Sequence, residues 1–368
     1  MKLLGKFLIG FLGLALFSQL AWAEAGQGSA ASVSVTAEPV PVLCYHRFGN
    51  YGPQDPYFVS TEELTRQFEI LRNEGFTPIT VSALLEGWAG KRALPPKPLL
   101  ITIDDGYADF AHTALPIFKK FEFPATLFVY THFIDSQRGL THAQLRELEA
   151  QGFEIGSHSF THPKLTKPTR LELAQGQAAF LERELKGSFD SLQAWLGHPV
   201  VSLAYPYGLW DTTVAQAAQA AGYRAMFTVD QGTNTAKTPR AQLKRIMIVH
   251  NTSDRMFKYL INDRPLEITE RSLEPGARVP GPVTALTLTV GVSQREAINP
   301  RSWSALKGGI KCTWVYTAAD GKLKVTLPSP WTHGTDAVML VARGAQPFEH
   351  YKETWLATIV PPRAEGGK

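Results

Sequence analysis

Cysteine is nearly absent, with two thiols, Cys44 and Cys312, in 368 residues. The first stands inside an apolar strand pattern and the second far away in a different kind of sequence. A disulfide framework is therefore excluded as the basis of the fold, and both thiols are expected to be free. An excess of charge is missing too. The 37 Lys and Arg residues face 33 Asp and Glu, a formal net charge of +4. That balance argues neither for nucleic acid nor strongly for a membrane surface, and it leaves a membrane or envelope partner open without pointing to one. Apolar runs are short, the main one being Phe7 to Phe17. Lys2 and Lys6 precede it and Ala21-Trp22-Ala23 follows, so residues 1–23 read as a secretory signal peptide rather than a membrane span. Export to the periplasm or beyond the cell is the expected location. There is no internal repeat. The helical H-E-x-x-H of many metallopeptidases is also lacking.

What is present is an alternation. Residues 24–38 read as a flexible lead-in, and the pattern begins at Val40 with "VPVLCYH". "STEELTRQFEILRNEG" follows as a helix, with Ser60 and Glu63 as a capping box and Gly75 as its stop. Further strands are expected near 78–80, 98–103, 124–130, 153–157, 200–204, 224–229 and 245–249, with helices between most of them, including a long one near 168–196. Such alternation predicts an α/β fold: a distorted (β/α) barrel of about seven parallel strands over residues 39–262. Residues 263–279, rich in Pro, Gly and charge, read as a linker. Beyond them the period becomes two, with "AADG" as a hairpin turn, so residues 280–368 predict a small antiparallel, sandwich-like β domain. Its tryptophans, Trp303, Trp314, Trp331 and Trp355, are expected in its core rather than on a sugar platform.

The chemistry of such barrels gathers at the C-terminal ends of the strands. There "LLITIDDGYADF" delivers Asp104 and Asp105 side by side. Two adjacent carboxylates at the end of a buried strand repel each other and call for a positive partner. "GSHSFTHP" delivers His158 and His162, four residues apart; "CYHRFG" delivers His46, "AYPYG" delivers Tyr205, Pro206 and Tyr207, and "MIVHN" delivers His250. Two imidazoles and one carboxylate form a ligand set for a divalent metal, with Zn²⁺ the expected ion. One aspartate of the pair then ligates and the other remains a base.

At these residues the sequence resembles the NodB-type polysaccharide deacetylases, carbohydrate esterase family 4, over about residues 40–262. "TIDDGY" is similar to that family's T-F-D-D-G and "HSFTH" to its H-S/T-x-x-x-H. The resemblance implies Asp104 as catalytic base and Asp105, His158 and His162 as metal ligands. It implies Tyr207 as the residue whose backbone N–H helps form an oxyanion hole. Two departures stand out. Ala204 occupies the place of an arginine that tethers the base, and the late leucine-x-histidine motif has only an echo in Ile248-Val249-His250. "YHRF" and "AYPYG" resemble the branch that deacetylates poly-N-acetylglucosamine, which implies His46 rather than His250 as general acid; Arg47 is an alternative tether. The resemblance thus implies metal-dependent removal of N-acetyl groups from an N-acetylated glycan polymer. Tyr107, Tyr205 and Trp210 are candidates for stacking on sugar rings. The competing expectation, drawn from the missing arginine, is a non-catalytic glycan- or partner-binding protein on the same barrel.

Overall fold

The protein is described by a computed structural model covering residues 38–361, apart from 51, 53 and 345–348. The expected signal peptide, residues 24–37 of the lead-in and residues 362–368 lie outside the described residues. Among the described residues no helix is long and apolar enough to cross a membrane.

Eight parallel strands make the first sheet: β1 (Val42–Tyr45), β2 (Thr77–Ile79), β3 (Pro98–Ile103), β4 (Thr126–Val129), β5 (Glu154–Ser157), β6 (Ser202–Ala204), β7 (Ala225–Phe227) and β8 (Ile246–Met247). Their order in space is β8-β1-β3-β4-β5-β6-β7, with β2 attached to β3 beside that path. A parallel bridge between Phe227 and Leu243 links β7 to the chain entering β8 and brings the ring close to closure. This is the distorted (β/α) barrel that the alternation predicts. β3 is buried at all of its positions, as a central parallel strand must be. The helix after β1, Thr61–Asn73, carries the expected capping box of Ser60 and Glu63.

The helix expected over 168–196 starts later. Helical structure runs as Gln177–Leu181, a π-helical turn Glu182–Lys186, and Gly187–Leu196. Residues 169–175 form turns instead. Thr169 and Glu172 cap each other as at a helix start. Leu171, however, is 85% exposed, so no packing sustains a longer helix there.

The second sheet holds β9 (Val283–Val290), β10 (Ser304–Lys307), β11 (Ile310–Thr317), β12 (Lys322–Trp331), β13 (Gly334–Arg343) and β14 (His350–Val360). These six pair antiparallel with one another. Trp303, Trp331 and Trp355 are buried in its core and Trp314 packs against it. The stretch expected to be a linker, 263–279, is folded into this sheet. Arg264–Pro265 and Arg278–Pro280 pair parallel with β14, and Ile268–Arg271 pairs antiparallel with β9. Leu266 and Leu273, apolar residues among the charges, anchor it in the core. β14 is buried on both faces. Trp355 points into the second sheet's core, while Leu356 joins the barrel's apolar cluster. Lys352 and His350 reach Asp263, and Glu353 takes Lys244 of the barrel.

Near that junction Asp230 is buried, with a long hydrogen bond from Trp210 at 3.5 Å to its carboxylate. Burial pushes its carboxyl up to about 7, against the opposing pull of Lys244. An acid whose folded pKa exceeds its unfolded value of about 3.9 loses stability as pH rises between the two. Asp230→Asn should therefore melt above the parent at pH 8 and close to it at pH 4, a difference readable by thermal denaturation at both pH values.

Candidate active site

β1, β3, β5 and β8 bring the site together. Asp104, at the end of β3, is 1% exposed. Its backbone N–H donates to the Tyr45 carbonyl oxygen, which ties it to the end of β1. Arg245, fully buried and one residue before β8, grips both carboxylate oxygens: Nη1 to Oδ1 at 2.6 Å and Nη2 to Oδ2 at 2.8 Å. Burial alone would raise the Asp104 carboxyl; the Arg245 fork outweighs it and holds the group well below the usual carboxylate range. Arg245 in turn donates from Nε to the Thr228 carbonyl oxygen at 2.8 Å. The positive partner demanded by the aspartate pair is therefore an arginine that leads into the last barrel strand, and Ala204 does not leave Asp104 untethered.

Asp105 turns away from this fork. It sits at φ 74°, followed by Gly106 at φ 83°, where a side-chain carbon would lie 2.9 Å from Val129 Cγ1. Burial and then the charge of Asp104 push the Asp105 carboxyl up to about 7. Its Oδ1 is 3.7 Å from His158 Nε2 and 3.5 Å from His162 Nε2, and those two nitrogens are 3.2 Å apart. Burial lowers both imidazoles, His158 to about 3, so both are neutral with lone pairs to offer. The His158 ring is oriented by Nδ1, 2.7 Å from the Ala204 carbonyl oxygen, which turns Nε2 toward Asp105. The three donor atoms lie within 4.8 Å of one another. One carboxylate oxygen and two neutral imidazoles, with a carboxyl that burial disfavours as an anion, fit a divalent cation. Asp105, Ser159, His162 and Tyr207 all have positive φ, at 74°, 70°, 62° and 58°. Each costs about 1–3 kcal/mol for a residue with a side chain, and such strain gathers at functional sites.

The other candidates divide. His46 faces the pair, its Nε2 4.0 Å from Asp104 Oδ2, with Tyr57 beside its ring at 5.3 Å. Burial lowers its pKa and Asp104 opposes that shift. Arg47 engages Asp55 at 3.0 Å and Asp109 at 3.6 Å and lies over Tyr107, so it does not tether Asp104. His250 stacks on Phe58 at 4.2 Å and places Nδ1 3.2 Å from Glu63, so its ring is engaged at the first helix. Tyr207 is 53% exposed, 4.7 Å from the His162 ring, on a short turn begun by the buried Pro206. Tyr107 is partly buried close enough to Asp105 for that charge to raise its hydroxyl pKa, after burial. Tyr205 and Trp210 are corrections: both are buried, and Tyr205 gives its hydroxyl to the Ala241 carbonyl oxygen, so neither ring can meet a sugar. The sequence reading missed Arg245 and Tyr130. Tyr130 follows β4 and lies 5.3 Å from the His162 ring. A signal for Arg245 existed, since a cation within the apolar run "LKRIMIV" needs a buried anion.

Comparison with known proteins agrees with this geometry. A family model for polysaccharide deacetylase matches residues 91–226, which span Asp104, Asp105, His158, His162 and Tyr207 but neither His46 nor Arg245. The chain is 25% identical over 211 residues to the poly-beta-1,6-N-acetyl-D-glucosamine N-deacetylase of Staphylococcus aureus, covering 56% of this chain and 71% of that one. The Streptococcus pyogenes deacetylase PplD, solved with acetate, superposes with a TM-score of 0.56 at 25% identity, over 61% of this chain and 99% of that one. A polysaccharide deacetylase from Bacillus cereus gives a TM-score of 0.53 at 28% identity, over 61% and 69%. Residues 91–226 therefore carry a polysaccharide deacetylase domain, and the barrel they help to build is similar to those of solved polysaccharide deacetylases.

Proposed function

We propose that the protein removes N-acetyl groups from a poly-N-acetylglucosamine-like exopolysaccharide outside the cytoplasm, in a metal-dependent reaction. The observation that carries this reading is the division of labour between adjacent carboxylates: Asp104 is locked to Arg245, while Asp105 faces His158 and His162. The S. aureus relative, named for poly-beta-1,6-N-acetylglucosamine, supports the choice of polymer. Asp105, His158 and His162 would hold the metal, with Zn²⁺ the expected ion; when bound it polarises the acetyl carbonyl and supplies water at lowered pKa. Asp104, ionised at any working pH, accepts the proton of the attacking water. Its Oδ2 lies 4.0 Å from His46 Nε2, so that proton has a short return path through His46 to the departing sugar amine. An amine leaves poorly without a proton, which is why an acid is needed on this side. The Tyr207 backbone N–H donates to the oxyanion. Tyr207, Tyr130 and Tyr107 flank the site and offer ring faces to a sugar chain. The expectation of a non-catalytic barrel rested on the absent arginine at position 204, and Arg245 removes that ground.

Acetate release from β-1,4- and β-1,6-linked N-acetylglucosamine oligomers tests the reading. The β-1,6 oligomer should be the better substrate, a chelator should stop release, and added Zn²⁺ should restore it. Indifference to the chelator would refute metal dependence. No release from the zinc-loaded protein on the β-1,6 oligomer would refute the polymer assignment.

A further inference from the structure

A carboxylate with no solvent exposure lies behind the histidine loop, on an element the chemistry above does not use. Glu184 is 0% exposed and sits in the π-helical turn Glu182–Lys186. Burying an ionised carboxylate costs several kcal/mol unless it is fully partnered, and an apolar side chain would fill the place more cheaply. A buried charge is therefore weak evidence for stability; what it grips is more informative. Glu184 Oε2 accepts from the Thr161 backbone N–H at 2.8 Å and Oε1 accepts from the Thr161 hydroxyl at 2.9 Å. Arg183 covers Oε1 at 3.1 Å. Thr161 stands between His158 and His162, directly before the left-handed His162.

The same helical stretch holds the loop a second time. Ser188 meets the Ser157 hydroxyl at 2.8 Å, Ser157 accepts from the Ser159 N–H at 3.2 Å, and Ser159 accepts from the His162 N–H at 3.0 Å. The Leu185 carbonyl, in the π turn, accepts from the Tyr223 hydroxyl at 3.0 Å. A π turn displaces side chains relative to a regular helix and recurs at functional sites. Here it places the Glu184 carboxylate at the loop backbone while Ser188 stays in reach of β5.

We infer that Glu184 is a positioning residue for the metal-ligand loop: through Thr161 it holds the strained turn that sets His162 Nε2 beside His158 Nε2. This rests on reading Asp105, His158 and His162 as metal ligands. Groups hydrogen-bonded to a metal ligand typically change its affinity by about 10–100-fold when removed; Glu184 acts one residue away, through Thr161, so the lower end of that range is expected.

The test measures zinc affinity of the whole protein by competition with a chromophoric chelator, together with the melting temperature of the metal-free form. Glu184→Ala should weaken zinc binding by about 10-fold. Glu184→Gln should recover most of that loss, because its carbonyl can accept from the Thr161 N–H and its amide can donate to the Thr161 hydroxyl oxygen. Thr161→Val, which keeps Glu184 and its contact with the half-exposed Arg183, should lose affinity by a smaller factor and provides the answer if Glu184→Ala does not fold. Zinc affinity unchanged in Glu184→Ala and Thr161→Val, with only the melting temperature lowered, would overturn the inference. His158→Ala serves as control. If the parent binds no zinc, or His158→Ala binds it as tightly as the parent, the ligand reading fails and this inference with it; if the parent binds and His158→Ala does not, the Glu184 and Thr161 variants decide the inference alone.

Discussion

Asp104→Asn should lower the rate of acetate release by about 10²–10⁴-fold, the usual share of a general base. Zinc affinity should stay close to that of the parent, because the proposed ligand atoms are those of Asp105, His158 and His162. The amide introduced by this substitution cannot take up a proton at neutral pH, yet it has the shape of the carboxylate. It also leaves the buried Arg245 charge without its counter-ion, so the melting temperature is read first; in the folded variant, loss of the base is separated from loss of the metal. Acetate release within a few-fold of the parent, measured at saturating zinc, would remove Asp104 from the reaction.

The second large effect belongs to Arg245. Arg245→Met leaves the Asp104 carboxylate buried without its counter-ion, and breaking one side of a buried pair costs about 3–5 kcal/mol. It also releases the Asp104 pKa. Arg245 holds that pKa down, so its removal moves it up, and the acid limb of the kcat/KM profile should shift to higher pH. Arg245→Lys should behave as a partial loss, since one ammonium cannot span Oδ1 and Oδ2 as the guanidinium does. The double variant Asp104→Asn with Arg245→Met should regain part of the lost stability, because no buried charge is left alone, while activity stays absent. Melting temperatures, pH–rate profiles and the double-mutant cycle check these outcomes together. An unshifted acid limb in the lysine variant would show that Arg245 does not set the base.

The parallel strands and the histidine and aspartate motifs were legible in the sequence because each is local. A buried strand shows as an unbroken apolar run, and two imidazoles four apart show as a pattern. Arg245 was not legible in that way. Its partner lies 141 positions earlier, and the family resemblance places the tether at the end of another strand, at Ala204. The fork can be delivered from any strand whose end meets Asp104, so the position of the arginine in the chain is free while its position in space is not. The long helix starts later than expected because a sequence pattern alone cannot say whether there is a surface to pack on, and Leu171 has none. The stretch 263–279 was misread because open strand edges recruit polar segments through main-chain hydrogen bonds, which leave little trace in composition. Tyr205 and Trp210 lie within a motif but face the core, which only the three-dimensional path of the turn reveals.

The doubly buried strand His350–Val360 sets where the chain can be divided. Residues 91–226 mark the family by similarity, yet a cut made after the barrel would strip Leu356 from the barrel's apolar cluster and leave Lys244 without its partner on that strand. Similarity here traces ancestry, whereas this shared wall traces what must be kept to preserve a working molecule. The smallest piece that retains the barrel's native surroundings therefore extends to Val360, about a hundred residues beyond the last of its own strands at Met247.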